Sequence, residues 1–132
     1  MPEIRSLALA MLVLLAVACG VPIDSHSVPG TYYWNTAGVV DEIIIRPDST
    51  YVHVFVPRDG PAIRDSSTWD FETWDDGAPR VSFDHFRFYS REGDWPRPVP
   101  QPAIWPATIE RGMDGRLRLS VDPDVDLYYV RK

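Results

Sequence analysis

The run from Ile43 to Phe55 constrains the fold more than any other part of this chain. Ile43, Ile44 and Ile45 lead into the turn-forming Pro47-Asp48-Ser49, and Thr50, Tyr51, Val52, His53, Val54 and Phe55 lead out of it. β-Branched and aromatic residues on both sides of such a cluster predict a β-hairpin. Successive strand side chains point to opposite faces, so Ile43 goes with Ile45, and Tyr51 with His53 and Phe55. If Ile45 stands opposite Tyr51, all five point the same way. Ser49 occupies a place where such turns usually carry glycine, which predicts a left-handed backbone there.

The same period-two reading covers the rest of the chain from residue 30 onward. Gly30-Thr31-Tyr32-Tyr33-Trp34-Asn35 predicts an opening strand, Thr36-Ala37-Gly38 a turn, and residues 39–56 the hairpin. A loop at 57–61 precedes a strand from Ile63 to Trp74, with Trp69, Phe71 and Thr73 on one face. Asp76-Gly77 marks the next turn. Val81, Phe83 and His85 alternate, and then the apolar set shifts to Phe86 and Phe88. That change of phase predicts a bulge near Asp84-His85. Residues 95–106 hold five prolines, each of which removes a ladder donor. This segment is expected to be an extended excursion over the surface or across a barrel end. Residues 107–111 and 116–121 form a hairpin around Met113-Asp114-Gly115, with Leu117, Leu119 and Val121 inward. A turn at 122–126 and a strand at 127–130 close the chain. The count is seven or eight short antiparallel strands with no helical period. The fold class is therefore all-β, a small antiparallel up-and-down barrel or curled sheet, with a β-sandwich as the alternative.

The start of the chain reads differently. Leu7 to Ala18 is an uninterrupted apolar run after a short segment carrying Glu3 and Arg5. Its length suits the apolar core of a signal peptide and is too short to span a bilayer. Small residues before the single cysteine, Ala16-Val17-Ala18-Cys19, resemble the bacterial lipoprotein signal, with Ala16 where leucine is usual. The resemblance implies cleavage before Cys19 and a lipid on that cysteine. The alternative is an ordinary secretory signal cut after Ala18, leaving Cys19 a free thiol. The domain reading is thus a signal peptide at 1–18, a lipidated cysteine and tether at 19–29, and one β domain at 30–132. Gly20 allows sorting to the outer membrane. One acidic and one basic residue leave with the leader, so the net charge stays at −6. That argues against nucleic acid and against electrostatic docking on anionic lipid.

Candidate chemistry is sparse. The histidines are His26 in the tether, His53 on the aromatic face, and His85 beside Asp84. His53 reads as a hydrogen-bonded core residue, and neighbours such as Asp84 and His85 point to opposite faces of a regular strand. No spacing supplies the three or four convergent ligands a metal needs. Asp122, Asp124 and Asp126 alternate like the start of a calcium loop, but Leu127 stands where glycine is required. Asp70 and Glu72 alternate with Trp69 and Phe71, as on the wet face of a strand. No nucleophile elbow, phosphate loop or Cys/His pair is present. No catalytic residue, metal or cofactor is nominated.

Gly30-x-Tyr32, then Ile43-x-Ile45-x-Pro47-Asp48-Ser49-Thr50-Tyr51, then Ser67-Thr68-Trp69 resembles a pattern of small bacterial lipocalin-like lipoproteins. Ser49 and Ser67 replace two of its glycines. The likeness implies a barrel-like fold and an envelope location, and carries over no ligand. The functional expectation is a non-catalytic, lipid-anchored envelope protein, in the outer membrane and facing the periplasm. It would act as a binding module for a protein or envelope component. An immunity or inhibitor protein and a lipocalin-like carrier of a small apolar ligand are the alternatives. Trp95 and Trp105, which bracket the proline-rich segment, are the candidate partner contacts.

Overall fold

The computed structural model describes residues 20–36, 38–89, 103–122, 124 and 127–132. Eight strands follow in order: β1 (Gly30–Thr36), β2 (Val39–Ile45), β3 (Thr50–Val56), β4 (Ile63–Thr73), β5 (Pro79–Phe86), β6 (Ala103–Arg111), β7 (Leu117–Asp122) and β8 (Leu127–Arg131). Each pairs antiparallel with the next, and β8 returns to β1 through Tyr32↔Arg131 and Tyr33↔Val130. The result is a closed up-and-down barrel. Closure leaves no strand edge to template unwanted pairing.

The hairpin at 43–55 has the register its alternation demands: Ile45 pairs with Tyr51 and Ile43 with His53. Ile43, Ile45, Tyr51, His53 and Phe55 are all buried. Ser49 has φ 67°. The β2–β3 turn is one of three of the same design. Arg46 N–H donates to Thr50 O, Trp74 N–H to Ala78 O, and Gly112 N–H to Arg116 O. A residue at positive φ sits just before each closing residue: Ser49, Gly77 or Gly115. The aspartate preceding it, Asp48, Asp76 or Asp114, accepts the N–H two residues on at 2.9–3.1 Å. The sequence signature Asp-Gly/Ser thus recurs because one three-residue hairpin geometry recurs. In an up-and-down barrel these turns, the start of β1 and the end of β8 share one end, called here the turn end. The connections after β1, β3, β5 and β7 share the other, the loop end.

Closure needs stagger between strands, and two strands supply it. β4 pairs with β3 from Ile63 to Thr68 and with β5 from Trp69 to Thr73. β6 pairs with β5 from Ala103 to Thr108 and with β7 from Ile109 to Arg111. The bulge expected in β5 lies between Phe83 and Phe86, opposite a two-residue step in β6. His85 takes φ 51° there, so Phe83 and Phe86 both face inward and both are buried. The same bulge corrects the expected separation of Asp84 from His85: His85 Nδ1 lies 2.9 Å from Asp84 Oδ2.

Two expectations change at the segment ends. Residues 103–106 were expected to run outside the sheet, but Ala103, Ile104, Trp105 and Pro106 belong to β6. Pro106 stands opposite Ser82 of β5, and the pairing with β7 begins only at Ile109. Its missing N–H therefore breaks no ladder. Residues 90–102 lie outside the described set. The span read as a tether is likewise divided. Val28 is fully buried and Ile23 packs against the core. Tyr32 Oη donates to Val28 O at 2.7 Å, and Arg131 Nη1 to Ser27 O at 2.9 Å. Gly30 makes room for that arginine, since a Cβ there would lie 2.7 Å from Arg131 Nε. The turn end is thus covered by residues 23–28.

Several residues of the Gly-x-Tyr … Trp pattern have visible work in the barrel. Trp69 Nε1 donates to Arg46 O at 2.9 Å, fastening the β2–β3 turn to β4. Tyr51 Oη donates to Asp84 O at 2.7 Å, fastening the bulge. Both bonds link elements far apart in sequence, and both donors sit on rings that fill the core.

Candidate functional site

Towards the loop end the inward faces of β2, β3 and β8 bring polar groups together. Asp41 lies in phase with Ile43 and Ile45, so strand alternation drives a carboxylate into the interior. Asp41 is 2 % exposed and His53 is 1 % exposed. His53 Nε2 lies 2.8 Å from Asp41 Oδ1, and Tyr129 Oη donates to the same oxygen at 2.7 Å. His53 Nδ1 has no hydrogen-bond partner. Beside them Tyr89 Oη donates to Asp65 Oδ2. Burial and the Asp65 carboxylate push the Tyr89 hydroxyl well above the ordinary tyrosine range. Tyr89 stacks on Phe55 at 5.0 Å and closes over His53 at 5.6 Å.

Aromatic rings from five strands meet in the same region. The Trp105 ring lies 5.3 Å from Phe83, 4.6 Å from Phe86, 4.9 Å from Phe88 and 6.0 Å from Tyr129. Tyr129 continues the cluster to Trp34 at 5.7 Å, and Phe86 continues it to His53 at 4.7 Å. Tyr51 meets Phe83 edge-on at 5.1 Å. These contacts run from β1 through β3, β5, β6 and β8, so side chains occupy the barrel interior at this level.

The chemistry of the trio follows from what surrounds it. An Asp–His pair can serve as a general base when a nucleophile or substrate reaches the imidazole. Here the free ring nitrogen is buried, and Phe86 lies flat against the ring. The tyrosine hydroxyl is bonded to the carboxylate rather than to the imidazole. The arrangement is that of a polar core locked by mutual hydrogen bonds. Among the described residues no three His, Cys, Asp or Glu side chains gather as a metal site.

Of the nominated contacts, Trp105 is half-buried in the ring cluster, while Trp95 and Cys19 lie outside the described residues. His53 has the hydrogen-bonded core position its alternation implied. The wet face of β4 also stands as read: Asp70 is exposed, and Glu72 accepts Trp74 Nε1–H at 2.9 Å. Asp41 was the residue missed. Its signal was present, since it continues the Ile43, Ile45 phase by one more step.

The fold defines a small closed eight-stranded β-barrel with an aromatic interior and one buried polar trio. No protein family, curated protein or solved structure matches this chain.

Proposed function

We propose that this chain is a lipid-anchored bacterial envelope protein whose barrel is a non-catalytic binding module facing the periplasm. It is held by lipid on Cys19, and its partner is a protein or another envelope component. The observation that carries this reading is the ring cluster around Trp105. Where a carrier barrel keeps a cavity for its ligand, this interior is taken up by contacts of 4.6–6.0 Å between its own rings. Recognition is then left to the outside of the barrel, at the loop end, which lies opposite the end where residues 20–23 emerge. The resemblance to small lipocalin-like lipoproteins supports the envelope location. The proline-rich segment after β5 is the proposed partner surface, with Trp95 as its contact and Trp105 as the ring that fixes its downstream end.

The test is capture from native envelopes, combined with intact mass of the purified protein. The reading expects a lipid mass on Cys19 and a specific partner lost on Trp95→Ala without change in the melting curve. An unmodified Cys19 in a freely soluble product would refute the anchor. A stoichiometric apolar molecule co-purifying with the barrel would favour the carrier instead.

A further inference from the structure

We infer that the turn end of the barrel rests against the surface of the lipid bilayer, with Trp74, Met113 and Val21 as its lipid-facing side chains. This rests on the proposed anchor at Cys19 and adds an orientation to it.

Chain connectivity fixes which end faces the membrane. Ile23 packs against the core beneath the barrel. Only Gly20, Val21 and Pro22 lie between it and Cys19, and those four steps reach at most ~14 Å when fully extended. The apolar run from Leu7 to Ala18 directly precedes that cysteine. Whatever holds the chain to a membrane there therefore holds the turn end close to the headgroups. A long flexible linker, which would leave the barrel free to tumble, is ruled out by the burial of Val28 and the bond from Arg131 to Ser27 O.

The side chains at this end suit that neighbour. Met113 is fully exposed at the tip of the β6–β7 hairpin, Trp74 is 46 % exposed at the β4–β5 hairpin, and Val21 is 63 % exposed on the emerging segment. Both hairpin tips are braced from within. Gly115 N–H donates to Gly112 O at 2.9 Å and Gly77 N–H to Trp74 O at 2.8 Å. The apolar groups are therefore held outward with little ordering left for contact to impose. Trp74 has the mixed character of interfacial tryptophans. Its indole N–H is bonded to Glu72, and Arg80 sits over its ring at 4.0 Å.

Two of the carboxylates at this end are ion-paired although the chain is acidic. Asp76 pairs with Arg80 at 2.9 Å and Asp114 with Arg116 at 2.7 Å. These two carboxylates thus present paired rather than bare negative charge to the headgroups. The exposed apolar area is small, so it orients the barrel rather than anchoring it; the lipid supplies the anchor. Ile104 and Val40 are exposed as well, but they lie towards the loop end. They face away from the membrane and serve as internal controls.

The experiment uses the full chain made in a bacterial envelope and transferred to vesicles of phosphatidylethanolamine and phosphatidylglycerol. Met113→Cys and Ile104→Cys are each labelled with a nitroxide, and collision with oxygen is compared with collision with a water-soluble nickel chelate. The label at 113 is expected to favour oxygen several-fold over the label at 104. A label at 113 as aqueous as that at 104, in protein that floats with the vesicles, overturns the orientation and leaves the anchor standing. Protein that carries no lipid on Cys19 and does not float overturns both. Both substitutions are at exposed positions, so neither disturbs the core.

Discussion

Replacing Asp41 by alanine tests whether the buried trio holds the loop end together. The carboxylate accepts from His53 Nε2 and Tyr129 Oη, at 2.8 and 2.7 Å. Its loss leaves two buried donors without that acceptor, at ~1–3 kcal/mol each. Asp41→Ala should therefore destabilise the barrel by ~2–6 kcal/mol, a large fraction of a domain's ~5–15 kcal/mol. Urea unfolding reads this directly. With a slope of ~1–3 kcal/mol per molar, the midpoint should fall by ~1 M or more. The triple variant Asp41→Leu, His53→Leu, Tyr129→Phe removes every polar atom of the trio and should recover most of the loss. A single variant within ~1 kcal/mol of the parent would mean that water satisfies the donors. A triple variant no better than the single would mean that packing, not hydrogen bonding, explains the loss.

Ser49 at φ 67° predicts that Ser49→Gly is neutral or stabilising by up to ~1 kcal/mol in denaturant midpoint; a clear loss would contradict the turn assignment. Trp105→Ala should cost ~3 kcal/mol or more in thermal or urea unfolding, since it empties the centre of the ring cluster, whereas Trp95→Ala should leave unfolding unchanged and remove partner capture. The three turn aspartates predict a shared acid transition. The hydrogen bond from Arg80 brings Asp76 down to about 2 from the ordinary 3.8, and those from Thr50 and Arg116 lower Asp48 and Asp114. Their folded values lie below their unfolded ones, so their contribution is present above the ordinary value and is lost as pH falls toward about 2. Replacing all three by asparagine should flatten the fall of melting temperature across that window; an unchanged slope would place the acid sensitivity elsewhere. Tyr32, which burial pushes up to about 12, predicts a loss of stability as pH rises above 10, read by tyrosinate absorbance alongside circular dichroism.

Alternation made much of this barrel legible. The Ile45↔Tyr51 register, the positive φ at Ser49 and the bulge at Asp84-His85 all follow from which residues must share a face. What it concealed has specific causes. Pro106 argued for a non-strand, because sequence does not say that β6 has only one partner at that point. Ile23 and Val28 were hidden among polar neighbours in a stretch that reads as linker by composition, although both pack on the core. Asp41 was passed over because an acid in a strand reads as exterior, while its phase placed it inside. The contact between Asp84 and His85 depends on the left-handed residue of the bulge, which interrupts the alternation used to separate them.

The two ends of the barrel are built by different rules, and the difference bears on function. At the turn end three hairpins share one tight geometry, each fixed by an aspartate that accepts its own backbone N–H. Trp69 and Arg131 tie that end to residues 46 and 27. At the loop end the connections differ in length and composition, and the longest carries most of the chain's clustered prolines. Recognition in β-barrels is commonly placed on irregular connections held by a rigid wall. The buried trio and the ring cluster lie beneath those connections and supply that rigidity, because each ring is fixed by neighbours on several strands. In the proposed reading, a barrel that is uniform and braced where residues 20–23 emerge, and irregular at its other end, would divide its work: one end would hold position at the membrane, and the other would carry recognition.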